Sequence, residues 1–350
     1  MYTALFATPC SQVNINNVLD NYQFYCPKLV ETARQSVNLC GEKMAVFKCF
    51  HSSTPSIIRG DPHGEEYVVN IRYVNYMITP NGSYVFPNNT KIVQTQNARI
   101  VMDSNFNIQS ETEIPHTFDP GCYIQGLEDV KLFSGTDGTV RFVGTRQVCN
   151  EASGGHILGI CTGVYEGNDT PKMSSICNLA SPEKSGCEKN WAIYDCDGKT
   201  LSVIYKWHPL TVATFVTDIT PGDPLRTHTT LRTITNSPEK AAFLSRLRGS
   251  SNGFRYGHEH WFVCHAVVYG SPRRYYHCLV ALDAATLECT RHTGLFTFEG
   301  ECIEFCLGLV VTADVFVMTY SCWDSSSKLM TVSRDDIPLV ESSKTVKIIK

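Results

Sequence analysis

Long apolar runs are missing from this sequence. Spanning a bilayer takes about 18–20 consecutive apolar residues. The longest candidate, Leu307 to Tyr320, is interrupted by Thr312, Asp314 and Thr319, so no membrane span is expected. Charge is also scarce. Lys and Arg number 30 and Asp and Glu 34, together 18% of 350 residues, against about 25% in an average domain. With a net charge of −4, the chain lacks the basic surplus that a nucleic-acid surface requires. A hydrophobic share of 43% excludes a disordered chain. Neither a Walker A loop nor a Gly-x-Gly-x-x-Gly run occurs, so no helix-cradled nucleotide is expected. Metal-ligand spacings are missing as well. His51, His63 and His116 are far apart, His258 and His260 sit at a loop–strand junction, and Cys302, Glu304 and Cys306 lack a fourth ligand. No metal and no cofactor are expected.

The N-terminus, Met1 to Pro9, has neither a basic start nor a long apolar segment, which speaks against a signal peptide. The 16 cysteines form no Cys-x-x-Cys pair. Many fall in strand-like runs, among them Cys264, Cys278, Cys306 and Cys322. They read as buried free thiols of a cytoplasmic protein rather than a disulfide framework. The glycosylation sequons at Asn81, Asn88 and Asn168 would matter only in a secreted chain.

Helical periodicity is rare. Pro27 to Leu39 places Leu29, Val30, Ala33 and Val37 on one face. A second helix is expected from Ser237-Pro238-Glu239 to about Leu247, with serine as N-cap and proline at the first helical position. The rest reads as strands rich in Val, Ile, Tyr, Phe and Thr: Val68–Tyr76, Val140–Gly144, Leu201–Trp207, Trp261–Val268, Tyr275–Leu282 and Val315–Tyr320. Turn signals such as Pro80-Asn81-Gly82 and Gly135-Thr136-Asp137-Gly138 separate them. Five times, a small or polar run precedes a turn and a strong strand. These runs centre on Pro55-Ser56-Ile57, Leu127-Glu128-Asp129, Glu188-Lys189-Asn190, Ser250-Ser251-Asn252 and Ile303-Glu304-Phe305. Their spacing of roughly 50–75 residues suits a four-stranded blade with loops. The expected fold is all-β: a five-bladed β-propeller over residues 46–340, with a short helical N-terminal extension (1–45), one inserted helix and a C-terminal tail (341–350). A pair of β-sandwiches or an α+β fold would share much of this pattern.

The least expected residues are charges inside strands. Strand alternation places Asp129 and Lys131 on one face and Glu128 on the other. Glu188, Lys189 and Asn190 repeat the theme, as does Glu304. Burial of such groups is costly unless they pair or face a wet cavity. On innermost strands they would converge on one funnel; inter-blade salt bridges are the plainer use. A basic and aromatic set, Arg72-Tyr73-Val74-Asn75-Tyr76, His265 and Pro272-Arg273-Arg274-Tyr275-Tyr276-His277, suits a phosphate. Tyr205 to Pro209 offers an aromatic surface for a sugar, or an ordinary strand end.

In order, Pro-Ser-Ile, Arg-Tyr-x-Asn-Tyr, Glu-Asp, Glu-Lys-Asn-Trp, Tyr-Tyr-His and Tyr-Ser-x-x-Asp resemble the five-bladed propellers of glycoside hydrolase family 130. These are the β-mannoside phosphorylases, with their relatives the β-1,2-mannosyltransferases. The sequence is more similar still to predicted glycosyltransferases of bacteria and large DNA viruses. The resemblance spans roughly residues 50–335. It implies Asp129 as the catalytic carboxylate, matching the aspartate of the family's Glu-Asp-Pro-Arg motif. The Pro-Arg half is lost here, and the phosphate-holding arginine becomes Lys131, a charge without a fork. It further implies Lys189, His265, Arg273 or Arg274, Tyr275 or Tyr276, and Arg72 around a departing phosphate. Asp324 would bind sugar, with Glu128, Glu304, Asn75 and Asn190 as further sugar contacts.

The loss of the arginine turns the expectation toward an inverting, metal-independent glycosyltransferase. It would move a sugar, mannose by resemblance, from a GDP- or UDP-sugar to a glycan or glycoprotein acceptor. A β-mannoside phosphorylase or hydrolase is one alternative; a non-catalytic propeller that binds glycans or proteins is another.

Overall fold

The computed structural model describes residues 27–39, 50–60, 65–86, 91–116, 121–150, 155–167, 170–183, 185–217 and 225–341. His63, the sequons at Asn88 and Asn168, the start of the N-terminal extension and all but the first residue of the tail lie outside them. Five antiparallel sheets arranged as propeller blades account for most of the chain. Blade I is His51–Arg59, Glu66–Val74, Val93–Asp103 and Ile108–Ile114. Blade II is Glu128–Ser134, Val140–Asn150, Gly155–Glu166 and Lys172–Leu179. Blade III is Ala192–Cys196, Thr200–Trp207, Leu210–Val216 and His228–Thr233. Blade IV is Arg248–Gly249, Glu259–Val268, Arg274–Asp283 and Cys289–Thr293. Blade V is Glu304–Val311, Val315–Cys322, Ser326–Ser333 and, from the far end of the sequence, Ala33–Asn38. All five polar runs read from the sequence fall in or beside the innermost strands.

The N-terminal segment departs from the expected helix. It forms a short 3-10 turn, Leu29–Glu31, and then the outer strand of blade V, with Val37 opposite Leu329. The apolar stripe is too sparse to bury a helix; Val30 is 43% exposed. Blade V meanwhile offers an unpaired edge whose backbone groups need partners. Closing the ring with the chain's own beginning satisfies that edge. At the other end, Leu339–Glu341 adds to the outer edge of blade IV. The second expected helix is present as Pro238–Leu244, with the Ser237 hydroxyl accepting from the Lys240 N–H at 3.4 Å. Among the described residues no helix is long and apolar enough to cross a membrane.

Apolar side chains fill the spaces between blades, with Trp191, Trp261, Phe262 and Phe316 fully buried. Near the axis the lacing is polar. The Asn252 amide donates to the Lys131 and Leu132 carbonyls, both at 3.0 Å, and accepts from the Ile193 N–H at 2.8 Å. It thereby joins blades II, III and IV. Thr319 Oγ1 donates to the Pro55 carbonyl at 2.9 Å and joins V to I. This explains the polar character of the runs: the blades meet where backbone groups would otherwise go unpaired. Cys161, Cys196, Cys264, Cys278, Cys306 and Cys322 are buried free thiols. Burial pushes Cys161 up to about 12, so it stays a protonated, unreactive thiol.

One glycine fixes the approach to the site. Gly126 has φ +92°, and a Cβ there would overlap the Thr95 carbonyl oxygen. Gly126→Ala should therefore lower stability by about 2 kcal/mol or more, from backbone strain and overpacking together. A lowered melting temperature checks this. Activity should fall as well, because the hydroxyl of Thr95 receives Arg72 Nε at 3.3 Å.

Candidate active site

Arg72 lies near the end of the second strand of blade I, its side chain 5% exposed. It donates through Nη2 to Glu128 Oε1 and through Nη1 to Asp129 Oδ1 at 3.1 Å. Adjacent strand residues point to opposite faces, so one guanidinium should not reach both. A β-bulge resolves this. Lys131 pairs with Val143 and Glu128 with Thr145, so three steps on one strand oppose two on the other. Asp129 takes φ +50°. The bulge turns the two carboxylates to the same side, which corrects the alternation read from the sequence. Bulges often re-aim side chains in this way. Burial pushes the Glu128 carboxyl upward, against the pull of Arg72.

The Thr54 hydroxyl also donates to Asp129 Oδ1, at 3.1 Å. Among the described residues nothing donates to Oδ2. Asp129 is about one quarter exposed and lines a narrow cleft with Lys131, Thr145, Asn190, Trp191 and Leu307. Asn190 is likewise left-handed, at φ +65°. Lys131 does not present its charge to this cleft as a substitute arginine would. It is 4% exposed, and its ammonium donates to the Trp191 carbonyl. Burial lowers it to about 8.

Asp324 sits in the hairpin after the second strand of blade V. Trp323 and Asp324 are both left-handed, at φ +54° and +48°. Ser53 Oγ donates to Asp324 Oδ1 and Tyr76 OH to Oδ2, each at 2.9 Å. Ser53 and Thr54 are thus neighbours that hold the two aspartates. They lie where the innermost strand of blade I slips register between Ser52 and Pro55. Tyr76 closes the basic and aromatic run that begins at Arg72; Ser53 and Thr54 are not among the residues expected from the sequence, where the signal available is the polar run Ser52-Ser53-Thr54 ahead of a strand.

The basic run is divided. Arg273 donates to Tyr84 OH at 2.8 Å and lies over the Tyr275 ring, 5.5 Å from its centre. Burial pushes the Tyr275 phenol up to about 12, with Asp324 and Asp129 acting on it in the same direction. Arg273 and Tyr275 therefore belong with the aspartates. Arg274 and Tyr276, on the other face of the strand, border a separate cleft. His265 is 2% exposed, holds Ser250 Oγ at 2.7 Å and packs against Tyr275 and Phe305. Burial drives its imidazole well below the usual range, so it is neutral. Lys189 is exposed and close enough to influence Glu128.

Like Arg274 and Tyr276, Asn75 and Glu304 stand apart from the aspartate cluster. Asn75 brackets residues 92–94, donating to the Ile92 carbonyl at 3.0 Å and accepting from the Gln94 N–H at 2.9 Å. Glu304 has no exposed surface and accepts the N–H groups of Phe298, Glu299 and Glu301 at 2.6, 2.7 and 2.9 Å. Its carboxylate anchors a loop. Tyr205 is buried, stacking edge-on against Trp191, and Trp207 packs on Phe262. Among the described residues no group of three or more His, Cys, Asp or Glu could hold a metal ion.

No protein-family model and no curated protein matches the chain. Solved structures do. The β-1,2-mannobiose phosphorylase from Listeria innocua, in complex with β-1,2-mannobiose, superposes with a TM-score of 0.51 at 10% identity, covering 83% of this chain and 92% of that one. A structure described under the GH130 family of mannoside phosphorylases, with glycoside hydrolases that target β-1,2 mannosidic linkages in Candida mannan, gives 0.51 at 12%, covering 83% and 87%. MPT-4, a mannose phosphorylase from Leishmania mexicana in complex with phosphate ion, gives 0.50 at 10%, covering 91% and 93%. The fold is thus the five-bladed propeller of the GH130 type.

Proposed function

We propose that this protein is a carbohydrate-active enzyme that cleaves or forms a mannosidic bond with phosphate as the second substrate. The observation that carries the proposal is the state of Asp129. One carboxylate oxygen is fixed by Thr54 and Arg72, and the residue lines an open cleft. A carboxylate held at one oxygen and open at the other suits proton transfer.

In the cleavage direction Asp129 gives a proton to the departing glycosidic oxygen, directly or through a sugar hydroxyl. A phosphate oxygen attacks the anomeric carbon from the opposite face. The old C–O bond breaks, the new one forms, and a sugar 1-phosphate of inverted configuration leaves. Arg273 supplies a guanidinium with no carboxylate partner among the described residues. Tyr275 stays a neutral donor, and Lys189 adds exposed positive charge. Together they neutralise phosphate and the transition state. Asp324, held at both oxygens, accepts from sugar hydroxyls.

The nucleotide-sugar transferase expected from the sequence would use the same residues with a diphosphate leaving group. The structural neighbours favour phosphate, since two are named for phosphorylase action and one was solved with phosphate ion. Lys131, engaged with Trp191, leaves the phosphate to Arg273.

Incubation with β-1,2-mannobiose should release mannose 1-phosphate only when inorganic phosphate is added, and equally with a chelator present. Release of free mannose without phosphate would replace this reading by hydrolysis. Turnover of GDP- or UDP-sugars without mannobiose cleavage would replace it by glycosyl transfer.

A further inference from the structure

The half of the basic run that turns away from the aspartates, Arg274 and Tyr276, lines a second cleft with Tyr275, Thr297, Gly300, Glu301 and Lys28. Its walls are built, not incidental. Glu304 pins the N–H groups of residues 298, 299 and 301, so the loop carrying Gly300 and Glu301 is fixed. The segment bearing Lys28 is stitched to the same loop: Leu29 N–H donates to the Thr297 carbonyl and Val30 N–H to Phe298, both at 2.9 Å, and Thr297 N–H returns to Pro27 at 3.1 Å. Gly300, at φ +89°, lets the Lys28 side chain lie against the loop, where a Cβ would press on it.

The charge in this cleft is unbalanced. Among the described residues neither Lys28 nor Arg274 has a carboxylate partner. Glu301, the one acid on the wall, accepts from Trp323 Nε1 at 2.8 Å. The cleft also opens at the same end of the propeller as the active site. Arg274 begins a third strand, and third strands begin where innermost strands begin. Tyr275 is the shared wall, lining this cleft while its hydroxyl belongs to the aspartate cluster.

We infer that the Lys28–Arg274 cleft is a subsite for a phosphate ester carried on the sugar substrate, so that the enzyme prefers phosphorylated mannosides. This rests on the mannoside reading above. A guanidinium fork and an ammonium from separate segments, with a threonine beside them, are the groups that select a phosphate monoester over a neutral hydroxyl.

Calorimetric binding on the full chain tests it, with mannose 6-phosphate, mannose and inorganic phosphate as probes. The wild type should bind mannose 6-phosphate at least about tenfold more tightly than mannose. The double variant Lys28→Met/Arg274→Met, whose side chains are partly exposed, should melt normally and lose that preference. Arg273→Met should keep it. The inference is overturned by equal binding of the two sugars, by a preference that survives the double variant, or by one that vanishes with Arg273→Met instead. Inorganic phosphate binding as tightly as mannose 6-phosphate, with both lost in the double variant, would overturn the phosphosugar assignment in favour of free phosphate. Binding is read here without turnover. Failure of phosphorolysis therefore leaves this result standing, and failure of the preference leaves the phosphorolysis assay standing.

Discussion

Asp129→Asn should reduce mannobiose phosphorolysis about a thousandfold or more while the melting temperature stays within a degree or two. General acid–base assistance contributes roughly 10²–10⁴ in rate, and the amide can neither give nor take the proton. The fold should tolerate the change for two reasons. Asparagine is nearly isosteric, and its amide oxygen can still accept from Thr54 and Arg72. Asparagine is also among the few residues at ease in the left-handed region, which Asp129 occupies at φ +50°. An alanine there would remove the acceptor and strain the bulge, so its effect would be ambiguous. A nitrophenyl mannoside, whose leaving group needs no proton, should lose far less rate in Asp129→Asn. Equal losses on both substrates would place Asp129 in binding rather than proton transfer. Near wild-type phosphorolysis would remove it from the reaction.

The blade count and the positions of the innermost strands were legible because strand patterning and polar run recur together. Asp129 stood out because charge in an apolar strand is expensive and therefore purposeful, and Arg72 because it heads a basic and aromatic run suited to phosphate. Their contact was not legible. It depends on a bulge, and a bulge is one extra residue whose presence only pairing reveals. Glu304 shows the converse. A buried carboxylate among strands signals a job, but the job here is to hold three backbone N–H groups of a loop close by in sequence. The same ambiguity covered Arg273 and Arg274. Adjacent identical residues look interchangeable until the strand assigns them to opposite faces. Residues 33–38 were misread as helix because their strand partner lies about 300 residues away, beyond any local pattern.

Arg72→Met should be the most destabilising single change at the site, and its effect should depend on pH in a definite direction. The guanidinium is nearly buried and neutralises Glu128 and Asp129 together. Removing one member of a buried ion cluster typically costs about 3–5 kcal/mol, because the remaining charge is stranded. For a chain of this size that is a drop in melting temperature of roughly 4–7 °C. Burial already raises Glu128 above the ordinary carboxyl range with Arg72 pulling against it; without Arg72 it rises further. A carboxyl whose folded value lies above its unfolded value binds its proton more readily in the folded state. Stability is then greatest below the unfolded value, about 4.3 for glutamate, and is lost as pH rises through the folded value. The deficit of Arg72→Met relative to wild type should therefore be smallest on the acid side, where Glu128 holds a proton, and grow as pH rises through the folded value of Glu128. Adding Glu128→Gln to Arg72→Met should recover much of the loss above that value, since the stranded charge is gone. A deficit that is flat with pH and untouched by Glu128→Gln would assign Arg72 to packing through its aliphatic stem, and the paired carboxylates would no longer explain why an arginine is buried there.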